Sequence, residues 1–150
     1  MILPNISEFI KSYVTKREKS FFHNDLINNK EKLIKEIKGK SILVIGGAGT
    51  IGSSYIKVAL RYHPSELIVV DINENGLTEL TRTLRSDSNI LVPESYLTYP
   101  MSFNSDVFYK MLKKHGSFDI VANFAAHKHV RSEKDSFSIE AMIENNVLDA

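Results

Sequence analysis

Three glycines and one aspartate form the clearest chemical pattern in this 150-residue sequence. An apolar run leads directly into Gly46, Gly49 and Gly52, and a second apolar run ends at Asp71. Gly46 can adopt the backbone angles of a tight turn, Gly49 lets the main chain approach a ligand, and Gly52 allows a helix to pack closely on a strand. This spacing predicts that the turn binds the diphosphate of a dinucleotide.

A helix is predicted to begin near Thr50, immediately after the glycine turn. The unpaired amides of its first turn, those of Thr50, Ile51 and Gly52, would point at the diphosphate together with the positive end of the helix dipole. Asp71 would accept hydrogen bonds from the adenosine ribose. The alternatives are a glycine turn that is only a tight connection and an aspartate that only caps a turn.

Charge around Asp71 bears on which dinucleotide is bound. The Asp71 carboxylate would repel a 2′-phosphate, and positions 47–54 and 71–78 contain no Arg or Lys to offset that repulsion. The sequence therefore predicts NAD. NADP is the alternative, with Arg82 or Arg85 as the candidate partner of its extra phosphate.

Composition restricts the classes of partner and compartment. The net charge is +1, with 19 basic and 18 acidic side chains, so no broad field attracts nucleic acid or an anionic membrane. The sequence has no cysteine, which excludes disulfides and thiolate chemistry. It also lacks an apolar run long enough to cross a membrane and a signal-peptide pattern at its start. These features predict a soluble cytoplasmic protein.

Hydrophobic periodicity divides the chain into a helical N-terminal extension, residues 1–40, and a nucleotide-binding domain, residues 41–150. In the extension, one apolar face would lie over residues 6–14, and a second helix would run from about Asn24 to Gly39. The second helix would turn four apolar side chains inward: Leu26, Leu33, Ile34 and Ile37.

From residue 41 onward, strands alternate with helices, which predicts an α/β fold with a doubly wound parallel sheet, a Rossmann fold that is truncated here. Strands are predicted at 42–45, 67–70, 118–124 and, less sharply, within 90–99. Helices are predicted at 50–62, 74–85, from Ser105 to Gly116, and from Ser136. The last helix would direct four side chains at the sheet: Ile139, Met142, Ile143 and Val147.

Ligands of such sheets bind beyond the carboxyl ends of the strands, so three loops are candidates for the site: 46–52, 71–75 and 125–133. His127, Lys128 and His129 do not form a convincing metal site, since no third ligand is evident. No metal is therefore predicted. Pairing of the sheet edges with a second copy of the chain is left open.

Four stretches of the sequence resemble known protein families. The stretch Gly46-Gly-Ala-Gly-Thr-Ile-Gly52 resembles the extended short-chain dehydrogenases/reductases. Asn123-Phe-Ala-Ala-His-Lys-His-Val130 and Ile143-Glu-Asn-Asn-Val147 are similar to signatures of bacterial polysaccharide-biosynthesis proteins of the CapD type, as is the loop that begins at Asp71 and includes Asn73.

The resemblance implies an NAD(P)-dependent nucleotide-sugar 4,6-dehydratase or epimerase that acts on a UDP-N-acetylglucosamine-like substrate. It implies that Ser102 stands where an aspartate often binds the adenine amino group, with an ordinary loop serine as the alternative. Ala125 and Ala126 would pass close to the nicotinamide-side ribose, and Lys128 would face the cofactor or the substrate phosphate. Asn146 would bond to the backbone of the preceding strand, with an ordinary helix-surface asparagine as the alternative.

The same resemblance implies that the Ser/Thr and Tyr-x-x-x-Lys catalytic residues follow a fifth strand, downstream of residue 150. We therefore expect no catalytic residue within these 150 residues, no tyrosine–lysine pair with that spacing, and no activity of the chain by itself. Two other functions remain open. One is a non-catalytic dinucleotide-binding module whose N-terminal helices dock onto a partner. The other is an S-adenosylmethionine-dependent methyltransferase, which also places glycines after its first strand.

Overall fold

A computed structural model of the protein describes residues 6–17, 19–127 and 135–149. The chain divides into two compact units, Met1–Lys35 and Glu36–Ala150. The predicted boundary between a helical extension and a nucleotide-binding domain near residue 40 stays a prediction.

Strands and helices alternate along the second unit, as the periodicity predicts. Three helices precede the first strand. The elements in chain order are α1 (Ile6–Phe9), α2 (His23–Asn28), α3 (Lys30–Ile37), β1 (Ser41–Ile45), α4 (Thr50–Ala59), β2 (Glu66–Asp71), α5 (Glu74–Ser86), β3 (Ser95–Pro100), α6 (Asp106–His115), β4 (Ile120–Asn123) and α7 (Ser136–Ile143).

The four strands form one parallel sheet in the order β3-β2-β1-β4. Because β1 pairs with β2 on one side and β4 on the other, the strand order reverses direction beside β1. A crevice opens at such a reversal, beyond the carboxyl ends of the strands. The predicted fold class, a Rossmann-type parallel sheet with flanking helices, is confirmed.

The central strands are covered on both faces, which explains why their sequences are continuously apolar. Ile42 and Val44 of β1 pack with α4 and α5 on one face, and Leu43 and Ile45 pack with α6 on the other. The helix side chains buried in these layers are Leu77, Leu80 and Leu84 on α5, and Phe108 and Met111 on α6.

Side-chain caps explain where two of these helices begin. The Oδ1 atom of Asn73 accepts a hydrogen bond from the Gly76 amide at 2.9 Å, and the hydroxyl of Ser105 accepts one from the Phe108 amide at 3.3 Å. The α6 helix ends at Gly116, whose φ of +83° suits glycine. The predicted starts and ends of these helices are confirmed to within about two residues.

The inward orientation predicted for the last helix is wrong for three of its side chains. The α7 helix begins at Ser136 as predicted, but Ile139, Ile143 and Val147 are exposed. The apolar run at 118–124 shortens to the four residues of β4, and Val121 is 59% exposed. A continuous apolar run is typical of a strand that is buried on both faces. The run alone does not indicate which element would cover each face.

The first unit consists of short helices with exposed apolar side chains. After α1 the chain continues as a wider π-helical turn, Ile10–Thr15, and Phe9 and Tyr13 are exposed. The predicted second helix is interrupted at Asn29, whose side chain donates to the Asp25 carbonyl oxygen at 2.9 Å. Its apolar side chains Leu26, Leu33 and Ile34 are only partly buried. Ile37, which belongs to the second unit, is also partly buried and packs against the core of that unit.

Within the described ranges, each helix is too short or too polar to cross a bilayer.

Asp119 ties the beginnings of β1 and β4 together. Its carboxylate accepts hydrogen bonds from the backbone amide of Ser41 at 2.9 Å, the Ser41 hydroxyl at 3.0 Å and the Lys40 ammonium at 3.0 Å. The amide of Asp119 donates back to the Ser41 hydroxyl at 3.0 Å. The Ser41 amide and the Lys40 ammonium lower the pKa of Asp119 from 3.8 to about 2, because both favour the charged form.

We predict that Asp119→Asn lowers the free energy of unfolding at pH 7. The substitution replaces one carboxylate oxygen by an NH₂ group, which cannot accept the hydrogen bonds that Lys40 or Ser41 donates to that oxygen. The depressed pKa means that the aspartate contributes its full stabilisation above pH 3.8 and loses it as the pH falls toward about 2. Urea denaturation of both proteins between pH 7 and pH 2 should show the difference shrinking over that window. Glu94→Gln, at an exposed carboxylate, is the control. A difference that does not change with pH would contradict this role.

Candidate functional site

Gly46 is required at the turn after β1 for two separate reasons. Its φ is +73°, a conformation that L side chains rarely adopt. A Cβ atom there would also lie 2.5 Å from the amide nitrogen of Ala125, in the loop that follows β4. The Gly46 amide continues the sheet by donating to the Val70 carbonyl oxygen at 2.8 Å.

Gly52 and Gly49 have different surroundings. A Cβ atom on Gly52 would overlap the carbonyl oxygen of Gly46 and come within 2.8 Å of the Gly47 Cα, so this glycine lets α4 rest on the turn. A Cβ atom on Gly49 would meet only the Gly46 carbonyl oxygen, at 3.4 Å, which is ordinary contact. Gly49 therefore faces open space, as is needed where a ligand approaches the backbone.

The first turn of α4 supplies unused amide donors beside this open space. Gly49 is the residue before the helix and provides no side-chain cap. The amides of Thr50, Ile51 and Gly52 precede the first intrahelical hydrogen bond, which the Ser53 amide makes to the Gly49 carbonyl oxygen at 2.9 Å. Thr50 and Ile51 are exposed.

Asp71 is held against the glycine turn by its own carboxylate. One oxygen accepts from the Ala48 amide and the other from the Asn73 amide, both at 2.9 Å. Each carboxylate oxygen has a second lone pair, so acceptor capacity remains for a ligand. The two amides also fix the orientation of the carboxylate before any ligand arrives.

The loop after β4 is bonded both to the sheet and to the last helical segment. The Asn123 side chain accepts from the Ala125 amide at 2.9 Å. Asn146 accepts from the His127 amide at 2.8 Å and donates to the His127 carbonyl oxygen at 2.9 Å. Asn146 thus makes the backbone contact implied for it, although its partner lies in the loop beyond the strand.

These segments surround a cavity of about 250 Å³ at the carboxyl ends of the strands. Its floor is apolar, and its polar groups come from the glycine turn, Asp71 and the loops after β3 and β4. The lining residues are Ile45, Gly46, Gly49, Val70, Asp71, Ile72, Met101, Ser102, Phe103, Phe124, Ala125, Ala126, His127 and Asn145.

Six of the predicted cofactor residues meet in this cavity: Gly46, Gly49, Asp71, Ser102, Ala125 and Ala126. Five others do not line it. Thr50, Ile51 and Gly52 lie in the adjoining first turn of α4, Asn73 caps α5, and Asn146 braces the loop behind His127. Lys128 lies outside the described residues.

Sequence reasoning did not name seven of the lining residues as site residues, although Ile72 lies within the candidate loop 71–75: Ile45, Val70, Ile72, Met101, Phe103, Phe124 and Asn145. The first six could have been found by position, because each lies at, or within three residues of, the carboxyl end of a strand. Asn145 carried no such signal, since its position depends on the path of the chain after α7. His127 is both exposed and part of the cavity lining.

The expectation that no tyrosine has a lysine four residues later is wrong. Tyr109 and Lys113 have that spacing, both on α6. Neither residue lines the cavity, and Tyr109 is 54% exposed. The pair therefore has the spacing without the position that such chemistry requires. In the part of the chain that the structure covers, no group of three or more His, Asp or Glu side chains could hold a metal ion.

A family model described as polysaccharide biosynthesis protein matches residues 42–150. The chain belongs to this family. Among curated proteins, EpsC of Bacillus subtilis, a probable polysaccharide biosynthesis protein, is 27% identical over 119 residues, which cover 78% of this chain and 19% of that protein.

Two solved structures share the fold. WbmF of Bordetella bronchiseptica, determined in complex with NAD+, is 23% identical with a TM-score of 0.54, over 76% of this chain and 31% of that one. The epimerase Mth375 of Methanothermobacter thermautotrophicus is 21% identical with a TM-score of 0.56, over 87% of this chain and 33% of that one. The chain thus spans at most a third of the length of these relatives.

We predict that Gly52→Ala destabilises the protein by about 1–3 kcal/mol, because the new methyl group must displace backbone atoms of the turn. Gly49→Ala is the matched control, since its methyl group meets only ordinary contact and its φ of −70° suits alanine. Thermal and urea denaturation of both variants measures the contrast. Equal losses of stability would show that the helix does not depend on close approach at Gly52.

Proposed function

We propose that the cavity binds NAD. The observation that carries this proposal is that the glycine turn, the Asp71 carboxylate and the loop after β4 all contribute to one cavity at the reversal of strand order. The diphosphate would lie over Gly49 and receive hydrogen bonds from the first-turn amides of α4. Asp71 would accept from the adenosine ribose, and Ser102 from the adenine amino group.

The opposite end of the dinucleotide would pass Ala125 and Ala126. Their small side chains leave room beside Gly46. Asn123 accepts a hydrogen bond from the Ala125 amide and Asn146 accepts one from the His127 amide, so the loop is held on both sides of Ala126. Lys128 is proposed to face the cofactor or the substrate phosphate, as the resemblance implies. The residues present therefore fit a ligand with a diphosphate centre and a ribose on each side.

The charge of the cavity supports NAD over NADP. Among the residues that the structure describes, none that lines the cavity is Arg or Lys. Arg82, one candidate partner for a 2′-phosphate, forms an ion pair with Glu79 at 2.6 Å on the exposed face of α5. A 2′-phosphate would instead meet the Asp71 carboxylate, which has no Arg or Lys beside it among the described lining residues.

For the whole protein, we propose an NAD-dependent nucleotide-sugar 4,6-dehydratase or epimerase with a UDP-N-acetylglucosamine-like substrate, acting in polysaccharide biosynthesis. Family membership supports the biosynthetic role. Two of the structural relatives support the chemistry, because Mth375 is described as an epimerase and WbmF was also determined with NAD+ and UDP. Catalytic residues are proposed to lie downstream of residue 150, and the location is proposed to be the cytoplasm.

Bound NAD would supply a reversible hydride acceptor. The residues described here would contribute binding and orientation. The glycine turn and the α4 amides would neutralise the diphosphate, Asp71 would fix the ribose, and the apolar floor would keep water from the buried side of the cofactor. We propose that the 150-residue chain binds the cofactor but does not turn over a sugar nucleotide.

We predict that saturating NAD raises the melting temperature of the chain, with a stabilisation of about 2.7 kcal/mol at a hundredfold excess over Kd. UDP-N-acetylglucosamine alone should have little effect. Gly49→Ala should keep the unliganded melting temperature but lose most of the NAD-induced shift, since its methyl group would occupy the space of the diphosphate. Stabilisation by S-adenosylmethionine and none by NAD would favour a methyltransferase instead.

We further predict that NAD binds more tightly than NADP and that Asp71→Asn reduces this preference, because the variant removes the charge that repels a 2′-phosphate. The ratio of the two Kd values, measured by calorimetry, is the readout, since the variant also weakens bonds to the Ala48 and Asn73 amides and will affect both ligands. Glu74→Gln, at an exposed carboxylate in the first turn of α5, is the control. An unchanged ratio would mean that Asp71 does not approach the 2′ position.

A further inference from the structure

Three polar side chains form a hydrogen-bonded chain from the edge of the cavity to the segment after α7. The Ser102 hydroxyl, at the cavity, donates to Oδ1 of Asn104 at 2.6 Å. Nδ2 of Asn104 donates to Oδ2 of Asp149 at 2.7 Å. This second hydrogen bond links Asn104, in the loop after β3, to a residue 45 positions further along the chain.

The chemistry of Asp149 determines the direction of both hydrogen bonds. An ionised carboxylate can only accept, so Asn104 must present its NH₂ group to Asp149 and its carbonyl oxygen to Ser102. A carbonyl oxygen also can only accept, so the single hydroxyl proton of Ser102 must point at Asn104. What remains of Ser102 toward the cavity is an oxygen with lone pairs and no proton.

The loop backbone holds this arrangement in place. The Ser102 carbonyl oxygen accepts from the Ser105 hydroxyl at 2.7 Å, and the side chain of Phe103 is buried in the core beneath. Ser102 is therefore held in position by its neighbours, while the exposed hydrogen bonds from Ser102 to Asn104 and from Asn104 to Asp149 orient its hydroxyl proton.

We infer that Asn104 and Asp149 are positioning residues that make Ser102 a hydrogen-bond acceptor only, so that the cavity selects a purine with an exocyclic amino group over one with a carbonyl oxygen there. This inference rests on the proposed dinucleotide function. A serine alone would not discriminate, because a free hydroxyl rotates to donate to a carbonyl as readily as it accepts from an amino group.

The test compares the Kd of NAD with that of nicotinamide hypoxanthine dinucleotide, in which a carbonyl oxygen replaces the adenine amino group. The 150-residue chain should bind NAD about three- to tenfold more tightly, the ratio expected for one hydrogen bond gained or lost. Hypoxanthine also carries a proton at N1, where adenine has a lone pair. This difference is the same for every variant, so it cancels when the ratio of the two Kd values is compared between variants.

Three variants separate polarity from structure. Asn104→Ala frees the Ser102 hydroxyl and should improve binding of the hypoxanthine dinucleotide, which brings the ratio close to one. Asp149→Asn keeps the size of the side chain, but the new amide group can either donate to Asn104 or accept from it. The Ser102 hydroxyl is then no longer held in one direction, so the ratio should fall partway. Asn89→Ala is the matched control, because Asn89 makes a similar bond to a carboxylate, that of Asp87 at 3.0 Å, away from the cavity lining.

The possible outcomes are distinct. A ratio that falls in Asn104→Ala and Asp149→Asn, but not in Asn89→Ala, supports the inference. NAD binding with a ratio that neither variant changes would overturn it, and the cofactor proposal would stand. If the unmodified chain bound neither dinucleotide, both the cofactor proposal and this inference would fail.

Discussion

The site depends on the absence of side chains where three backbone segments meet. The turn after β1, the start of α4 and the loop after β4 approach each other at Gly46 and Gly52, and a Cβ atom at either position would collide with backbone. Backbone atoms cannot move aside as the end of a flexible side chain can, so the collision would have to be relieved by separating the segments themselves. That separation would widen the cavity and tilt the α4 amides away from it.

The same constraint explains why Asp71 can serve the fold and a ligand together. Its carboxylate joins the turn after β1 to the turn after β2 through the Ala48 and Asn73 amides. This fixes its direction at no cost to the remaining lone pairs. Preorganised acceptors of this kind lose little conformational freedom on binding, so more of the hydrogen-bond energy is retained as affinity.

The sequence predicted the parts of the fold that are governed by local rules. Glycine spacing, the helix start near Ser105, and the continuous apolar runs of β1 and β2 each have a local cause that a sequence displays. The orientation of α7 has no local cause. Its apolar side chains define a face, but whether that face is covered depends on a neighbouring element, and Ile139 and Ile143 are exposed in the described structure.

The residues of the candidate site also differ in whether a local feature of the sequence predicts their position. Residues directly after a strand could be placed in advance, because parallel strands end at one edge of the sheet. The connection from Ser102 through Asn104 to Asp149 could not, because it spans 45 residues between its last two members and has no periodic signal. Such a connection also carries information that a list of lining residues omits. Two cavities that contain the same serine can bind different ligand groups. The serine hydroxyl is left as an acceptor if the residue behind it accepts its proton, and as a donor if that residue donates to it. Here the partner of Ser102 is Oδ1 of Asn104, and Nδ2 of Asn104 donates to the Asp149 carboxylate. The direction of the Ser102 hydroxyl therefore depends on a charge that does not itself line the cavity.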